Sequence, residues 1–242
     1  MKSFLIVFIA ISSLFSETYG QDYKLENLKT EDKKRLRFGY YIGLNSVGAK
    51  VTYLASALPT PPDEFPFRLL VKPKPSFDVG LLADVRINEF VNIRFHPGVA
   101  FVEREIRFPF KETPTTSKLL IERIVKSNYV RFPLGIKLNT RRIRNTRPFL
   151  MGSMSYNINI TSEETNSEDN ESGTFRMKRN MYAWEFAIGT DIYFPYFKFT
   201  PSIHGLFALN NEIVPDEDPS SRFTEHIASM KSRGIFLRFT FE

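Results

Sequence analysis

The chain is 242 residues long, with a net charge of +6, no cysteine and a single tryptophan. That length holds one domain or two small ones. No stretch approaches the roughly 18–20 apolar residues of a spanning helix, which excludes a polytopic helical membrane protein. Without cysteine there is no disulfide framework, thiolate zinc site, cysteine nucleophile or lipid-modified N-terminal cysteine. Aromatic residues nevertheless reach 14%, with 24 Phe and 10 Tyr, and so many rings in a polar chain need a place to be buried.

Residues 1–20 read as a secretory signal peptide. Lys2 gives a short positive start, Phe4 to Phe15 is an apolar run, and Thr18-Tyr19-Gly20 offers small residues before Gln21. The run is too short for a transmembrane anchor. Residues 21–34 then form a periplasmic N-terminal segment, and 35–242 the folded domain.

From Leu36 onward the period is two, not 3.6. Leu36, Phe38, Tyr40, Ile42 and Leu44 alternate with Arg37, Gly39, Tyr41, Gly43 and Asn45. Phe77, Val79, Leu81, Ala83, Val85 and Ile87 face Asp78, Gly80, Leu82, Asp84, Arg86 and Asn88. Val91 to Phe101 repeats the pattern, with Arg94 and His96 on the small, polar side. Val130 to Leu138 sets Phe132, Leu134 and Ile136 against Arg131, Gly135 and Lys137. Segments at Leu150–Ile160, Tyr182–Phe194, Phe199–Leu209 and Ile235–Phe241 complete a set of eight.

The two faces differ in an informative way. A soluble sandwich turns its bulky side inward and keeps Lys, Glu and Thr for solvent. Here the second face is Gly, Ala, Ser, Asn and charges of both signs, which suits a narrow polar lumen, while the bulky face suits lipid. About ten residues tilted at about 45° match the bilayer core. In lipid every backbone group must be paired, so the sheet has to close. Eight strands make a barrel filled by its own side chains. The expected fold is therefore all-β, an eight-stranded antiparallel transmembrane barrel of outer-membrane type.

Connection lengths agree. Turns at 88–90, 139–146 and 195–197 are short, and loops at 46–76, 102–128, 161–181 and 210–233 are long. Short periplasmic turns alternating with long outer loops are the habit of such barrels.

Candidate chemistry is sparse. The acidic loop Thr161–Thr174 lacks the spacing of an EF-hand and reads as a solvated loop. His96 and His204 point inward without an outward Ser partner, His226 lies alone in a loop, and no catalytic residue, cofactor site or metal site is expected. Asp78, Asp84, Arg86, Arg94, Arg131, Lys137, Glu185, Asp191 and Arg238, with Lys198, fall on the inner face. Buried charges must pair, so they are expected to plug the lumen as an ion-pair network. Arg141, Arg142, Arg144 and Arg147 crowd one periplasmic turn, near the inward cations Arg37, Arg86, Lys137 and Arg238; they read either as a solvated basic turn or as a candidate docking site for an acidic partner or anionic lipid.

Ordered short motifs point further. Phe38-Gly39 with Gly43-Leu44-Asn45, Asp84-Val85-Arg86-Ile87-Asn88-Glu89, Asn92-Ile93-Arg94-Phe95 with Pro97-Gly98, and Arg131-Phe132-Pro133-Leu134 run in sequence. Asp191 to Phe199, Leu209-Asn210-Asn211 and Phe241-Glu242 follow. In this order, over residues 36–242, the chain resembles the PorT family of outer-membrane barrels from type IX secretion and gliding-motility systems. The resemblance implies a non-enzymatic component required for export of cargo with C-terminal secretion domains. Its implied partners are other secretion-machinery proteins and outer-membrane lipid, with no nucleic acid and no small-molecule substrate. The other reading left open is a general structural or adhesive barrel acting through its outer loops.

Overall fold

The structure is a computed structural model and describes residues 26–54, 69–109, 120–162, 176–214 and 227–242. The proposed signal peptide lies outside the described residues, as does most of the acidic loop. Strands are β1 (Leu36–Tyr53), β2 (Leu70–Arg86), β3 (Val91–Phe95), β4 (Gly98–Pro109), β5 (Leu120–Asn139), β6 (Thr146–Asn159), β7 (Asn180–Tyr193), β8 (Lys198–Ala208) and β9 (Ile227–Phe241). Every neighbouring pair is antiparallel, and β9 pairs back onto β1 from Tyr40↔Phe241 to Tyr53↔Ile227. The sheet is closed.

The nine segments make eight staves, because β3 and β4 are two halves of one. Pro97 has no N–H to give, so the ladder is interrupted there. Register on both neighbours still runs through the gap, from Ala83↔Phe95 to Gly80↔Gly98 on β2 and from Phe95↔Leu134 to Gly98↔Arg131 on β5. His96 N–H donates to the Pro133 carbonyl at 3.0 Å and Leu81 N–H to the Pro97 carbonyl at 2.8 Å, which holds the joint together.

The alternating faces separate as their chemistry requires. Phe38, Leu81, Leu134, Met154, Trp184 and Ile235 all point outward and are at least half exposed. Arg94, Arg131, Lys137, Glu185 and Arg238 point inward and are buried. A soluble protein does not expose an apolar belt that runs round its whole waist; a lipid-facing one must. Among the described residues no helix is long and apolar enough to cross a membrane, and the crossing is made by strands. Rings mark the lower edge of the belt: Tyr40 stacks on Phe241 at 5.3 Å, Phe199 on Phe239 at 6.0 Å, and Phe194 on Phe197 at 5.0 Å. Phe77–Phe101 and Tyr156–Tyr182 mark the upper edge at 4.5 and 5.3 Å.

The outer loops are shorter than the sequence suggests. Residues 46–53, 70–76, 102–109, 120–128 and 227–233 belong to strands rather than loops, and β5 alone is 20 residues long. The missed stretches are polar outside because they stand above the lipid, so the bulky-outward signal fades while pairing continues. A bulge between Lys74 and Asp78 adds to this by shifting register on β4. Below it the even residues of β2 face inward; above it Leu69 and Val71 do.

Leu134 sits mid-belt and is 56% exposed. Leu134→Arg is expected to destabilise the barrel by about 2–4 kcal/mol, the cost of a cation at the lipid midplane. Denaturant titration in lipid vesicles measures this, with the gel shift between boiled and unboiled protein reporting folding.

Candidate functional site

The interior is built in layers. At the periplasmic end Asp84 accepts from Arg37 at 2.7 Å, Arg94 at 2.5 Å and Asn92 at 2.5 Å. Arg94 reaches on to Glu242 at 2.6 Å, and Lys198 meets the same carboxylate at 2.6 Å. Lys137 Nζ contacts both oxygens of Asp191, at 2.8 and 2.6 Å, and Thr200 donates to Asp191 at 2.9 Å. One floor higher, Arg238 binds Asp78 at 2.8 Å and Arg131 binds Glu185. Arg131 and Arg238 both lie over the Phe236 ring, at 4.4 and 5.1 Å. His96 and His204 meet edge to face in the same layer at 6.2 Å.

Above these charges comes an apolar layer of Val47, Val102, Tyr129, Met181, Leu206 and Phe236. A third polar layer follows. Glu212 accepts from the Ser232 N–H at 2.6 Å and the Ser232 hydroxyl at 2.7 Å, while Arg104 donates to that hydroxyl at 3.1 Å. Leu69, Ile106, Val125, Met177, Ile213 and Met230 close the outer end. Residues 176–178 and 212–214 cross over this plug, joined by a Met177↔Ile213 bridge. A buried ion pair adds little net stability, because desolvation offsets the attraction. What it does is fill an eight-stave interior that has room only for side chains.

Eight of the nine residues expected in the lumen network stand in these pairs: Asp78, Asp84, Arg94, Arg131, Lys137, Glu185, Asp191 and Arg238. Arg86 does not. It is half-buried at the rim and donates to its own turn, Nε to the Asn88 carbonyl at 3.2 Å. Arg104 and Glu212 are buried members that the sequence reading missed, and Arg176 is a further buried charge. Arg104 was legible, since Val102, Arg104 and Ile106 continue the inward alternation. Glu212 and Arg176 lie outside the strands, where no period marks them.

The basic turn is the larger correction. The N-terminal segment crosses the periplasmic mouth, and Asp32 in its single 3₁₀ turn, Glu31–Lys33, is the latch. Asp32 lies 3.3 Å from Arg142, 3.4 Å from Arg147 and 3.9 Å from Arg37, and accepts from the Tyr193 hydroxyl at 2.5 Å. Arg142 also lies over the Tyr193 ring at 3.8 Å and donates to the Asn27 carbonyl. Arg147 is buried and donates to the carbonyls of Thr140, at 3.0 Å, and of Glu89. Arg142 and Arg147 are therefore engaged within the chain. Only Arg141 and Arg144 remain exposed, and Arg144 holds the turn at a positive φ of 55°. The sequence could not foresee this, because an acidic latch 110 residues away carries no local signal.

Among the described residues no group of three or more His, Asp or Glu is placed to hold a metal ion. A family model described as an outer membrane protein beta-barrel domain matches residues 20–214. A comparison with curated proteins gives no match. Among solved structures the chain is similar to Ail, the attachment invasion locus protein of Yersinia pestis, at 12% identity over 86% of this chain and 99% of that one, with TM-score 0.39. It is similar to Neisserial surface protein A at 9% identity over 86% and 98%, TM-score 0.40. OprG from Pseudomonas aeruginosa matches at 11% identity over 85% and 92%, TM-score 0.43.

Two outcomes are expected from the site. Glu185→Gln leaves the Arg131 charge buried without its counter-charge and should cost about 3–5 kcal/mol, read as a lowered denaturation midpoint. Asp32→Asn should free the N-terminal segment while the barrel stays folded. Limited proteolysis from the periplasmic side would then cut within residues 26–34 in the variant and spare the parent protein.

Proposed function

We propose that this chain, which belongs to the outer membrane protein beta-barrel domain family, is a non-enzymatic component of type IX protein secretion that works through protein partners. Its place is the outer membrane. The reading within that family comes from the ordered motifs along residues 36–242 that resemble PorT barrels.

The observation that carries the mechanism is the filled interior. Asp84, Arg94, Lys137, Asp191, Asp78, Arg238, Arg131 and Glu185 occupy the bore and are tied to one another. Cargo cannot be threaded through a bore of paired side chains, so the barrel acts by its surfaces. At the periplasmic face the latched segment 26–34 and the exposed Arg141 and Arg144 offer a fixed basic rim. Clustered charge steers an acidic partner but is screened beyond about 8–10 Å at physiological salt, so the partner must sit close.

A second reading has its own support. β1, β2, β4, β5 and β9 run on above the apolar belt as a polar stalk, which would present the outer loops to whatever lies outside the cell. An adhesive or structural barrel would use that stalk.

Deletion separates the two: loss of surface delivery for a whole class of exported proteins supports secretion, and an unchanged secretome supports the stalk. The finer test is Arg141→Gln with Arg144→Gln, compared with deletion of residues 163–171. At equal barrel abundance, secreted cargo should fall several-fold in the arginine variant and stay level in the deletion. The reverse result places docking outside and removes the periplasmic rim as the docking site.

A further inference from the structure

On the outer wall above the belt, β1 and β2 part company. Their pairing ends at Ser46↔Pro75, although β1 continues on β9 as far as Tyr53 and β2 begins on β4 at Leu70. Pro73 and Pro75 lack the N–H groups a ladder needs. Beside this seam lies a groove of about 500 Å³, lined among others by Ser46, Gly48, Lys50, Pro73, Phe207 and Arg233. Small residues at 46 and 48 leave the wall thin. A Cβ added to Gly48 would only touch the Pro73 ring, at 3.7 Å.

The charges around the groove are unusual. Lys50 stands directly opposite Lys231 across the β1–β9 ladder, and Arg233 opposite Gly48. All three cations are exposed on the outer face. Like charges placed directly across a strand pair repel. Nearby Lys72 and Lys74 face Glu105 and Glu103 across β2–β4, whereas Lys50, Lys231 and Arg233 form no ion pair among the described residues. Among the described residues Arg233 has the Phe207 ring, at 6.0 Å. Directly below the cations come Ile235, Leu237 and Leu44, the top of the lipid belt. Among the described residues, three cations without an ion-pair partner thus stand above the apolar belt, at the groove that Ile235 also lines.

We propose that this groove binds a phosphorylated lipid of the outer leaflet. Its phosphate lies between Lys50, Lys231 and Arg233, and one acyl chain follows the channel past Gly48 and Phe207. A phosphate relieves the Lys50–Lys231 repulsion, and an arginine and two lysines supply donors for its oxygens. The site needs only an outer-membrane location and is independent of the secretion reading.

The test uses the full chain refolded in neutral detergent and native mass spectrometry of bound lipid. The probes are a bis-phosphorylated diglucosamine lipid and the same lipid with its phosphates removed. The phosphorylated form should stay bound, with the dephosphorylated form about tenfold weaker. Lys50→Gln, Lys231→Gln and Arg233→Gln combined should weaken the phosphorylated lipid to the same degree, while Gly48→Leu, which fills the channel, should weaken both lipids. Arg141→Gln with Arg144→Gln, at the other end, should bind as the parent does. Equal binding of the two lipids by the unaltered protein would reduce the groove to a general apolar contact and overturn the proposal. So would undiminished binding by the triple variant, or displacement of the lipid by millimolar inorganic phosphate, which would mark a free-anion site.

Discussion

Closure of the sheet is the constraint from which the rest follows. Lipid offers no partner to a peptide N–H or carbonyl, and each one left open costs several kcal/mol. The fourteen register pairs between β1 and β9 remove the two edges that an open sheet would present. Once the ring is shut, every residue must face either hydrocarbon or a narrow bore. Where the wall stands above the hydrocarbon, water and head groups can serve the backbone, and there alone β1 and β2 are allowed to separate.

The bore then sets its own terms. It is too narrow for water-filled passage and too wide for glycine and alanine alone, so long side chains must fill it. Arginine and lysine do so with apolar stems and charged tips, and each tip requires a carboxylate within reach. The outcome is a stack of polar layers separated by apolar ones, from Asp84 and Glu242 at the bottom to Glu212 and Arg104 near the top. Removing a single partner harms such a stack more than its net contribution to stability would suggest, because the remaining charge stays buried.

The two ends of the barrel are finished differently. The periplasmic end is tied by short turns, an aromatic edge and one acidic latch, giving a fixed rim. The outer end is lifted on strands above the membrane and closed inside by the segments around Met177 and Ile213. A barrel with a sealed centre meets its surroundings at these two ends and along its lipid-facing wall. Those are the surfaces on which a role in secretion, in adhesion or in lipid contact has to rest.

The sequence by itself determined the architecture: strict alternation of bulky and small or charged residues specifies strands, their two environments, and hence closure. It also placed Asp78, Asp84, Arg94, Arg131, Lys137, Glu185, Asp191 and Arg238 on the inner face, because period two is a local property. Partner identity was not local. Arg131 finds Glu185 fifty-four residues on, and Arg238 finds Asp78 one hundred and sixty away, distances that only ring order and register can bridge. The same holds for Asp32 on Arg142 and Arg147, which turned two apparently free arginines into structural ones. Strand ends also escaped the sequence, since above the lipid the outer face turns polar while the inner one becomes largely apolar, and the bulky-outward alternation no longer marks them. Tertiary structure decided these points because pairing across a closed sheet depends on stagger, and stagger leaves no trace in any one strand.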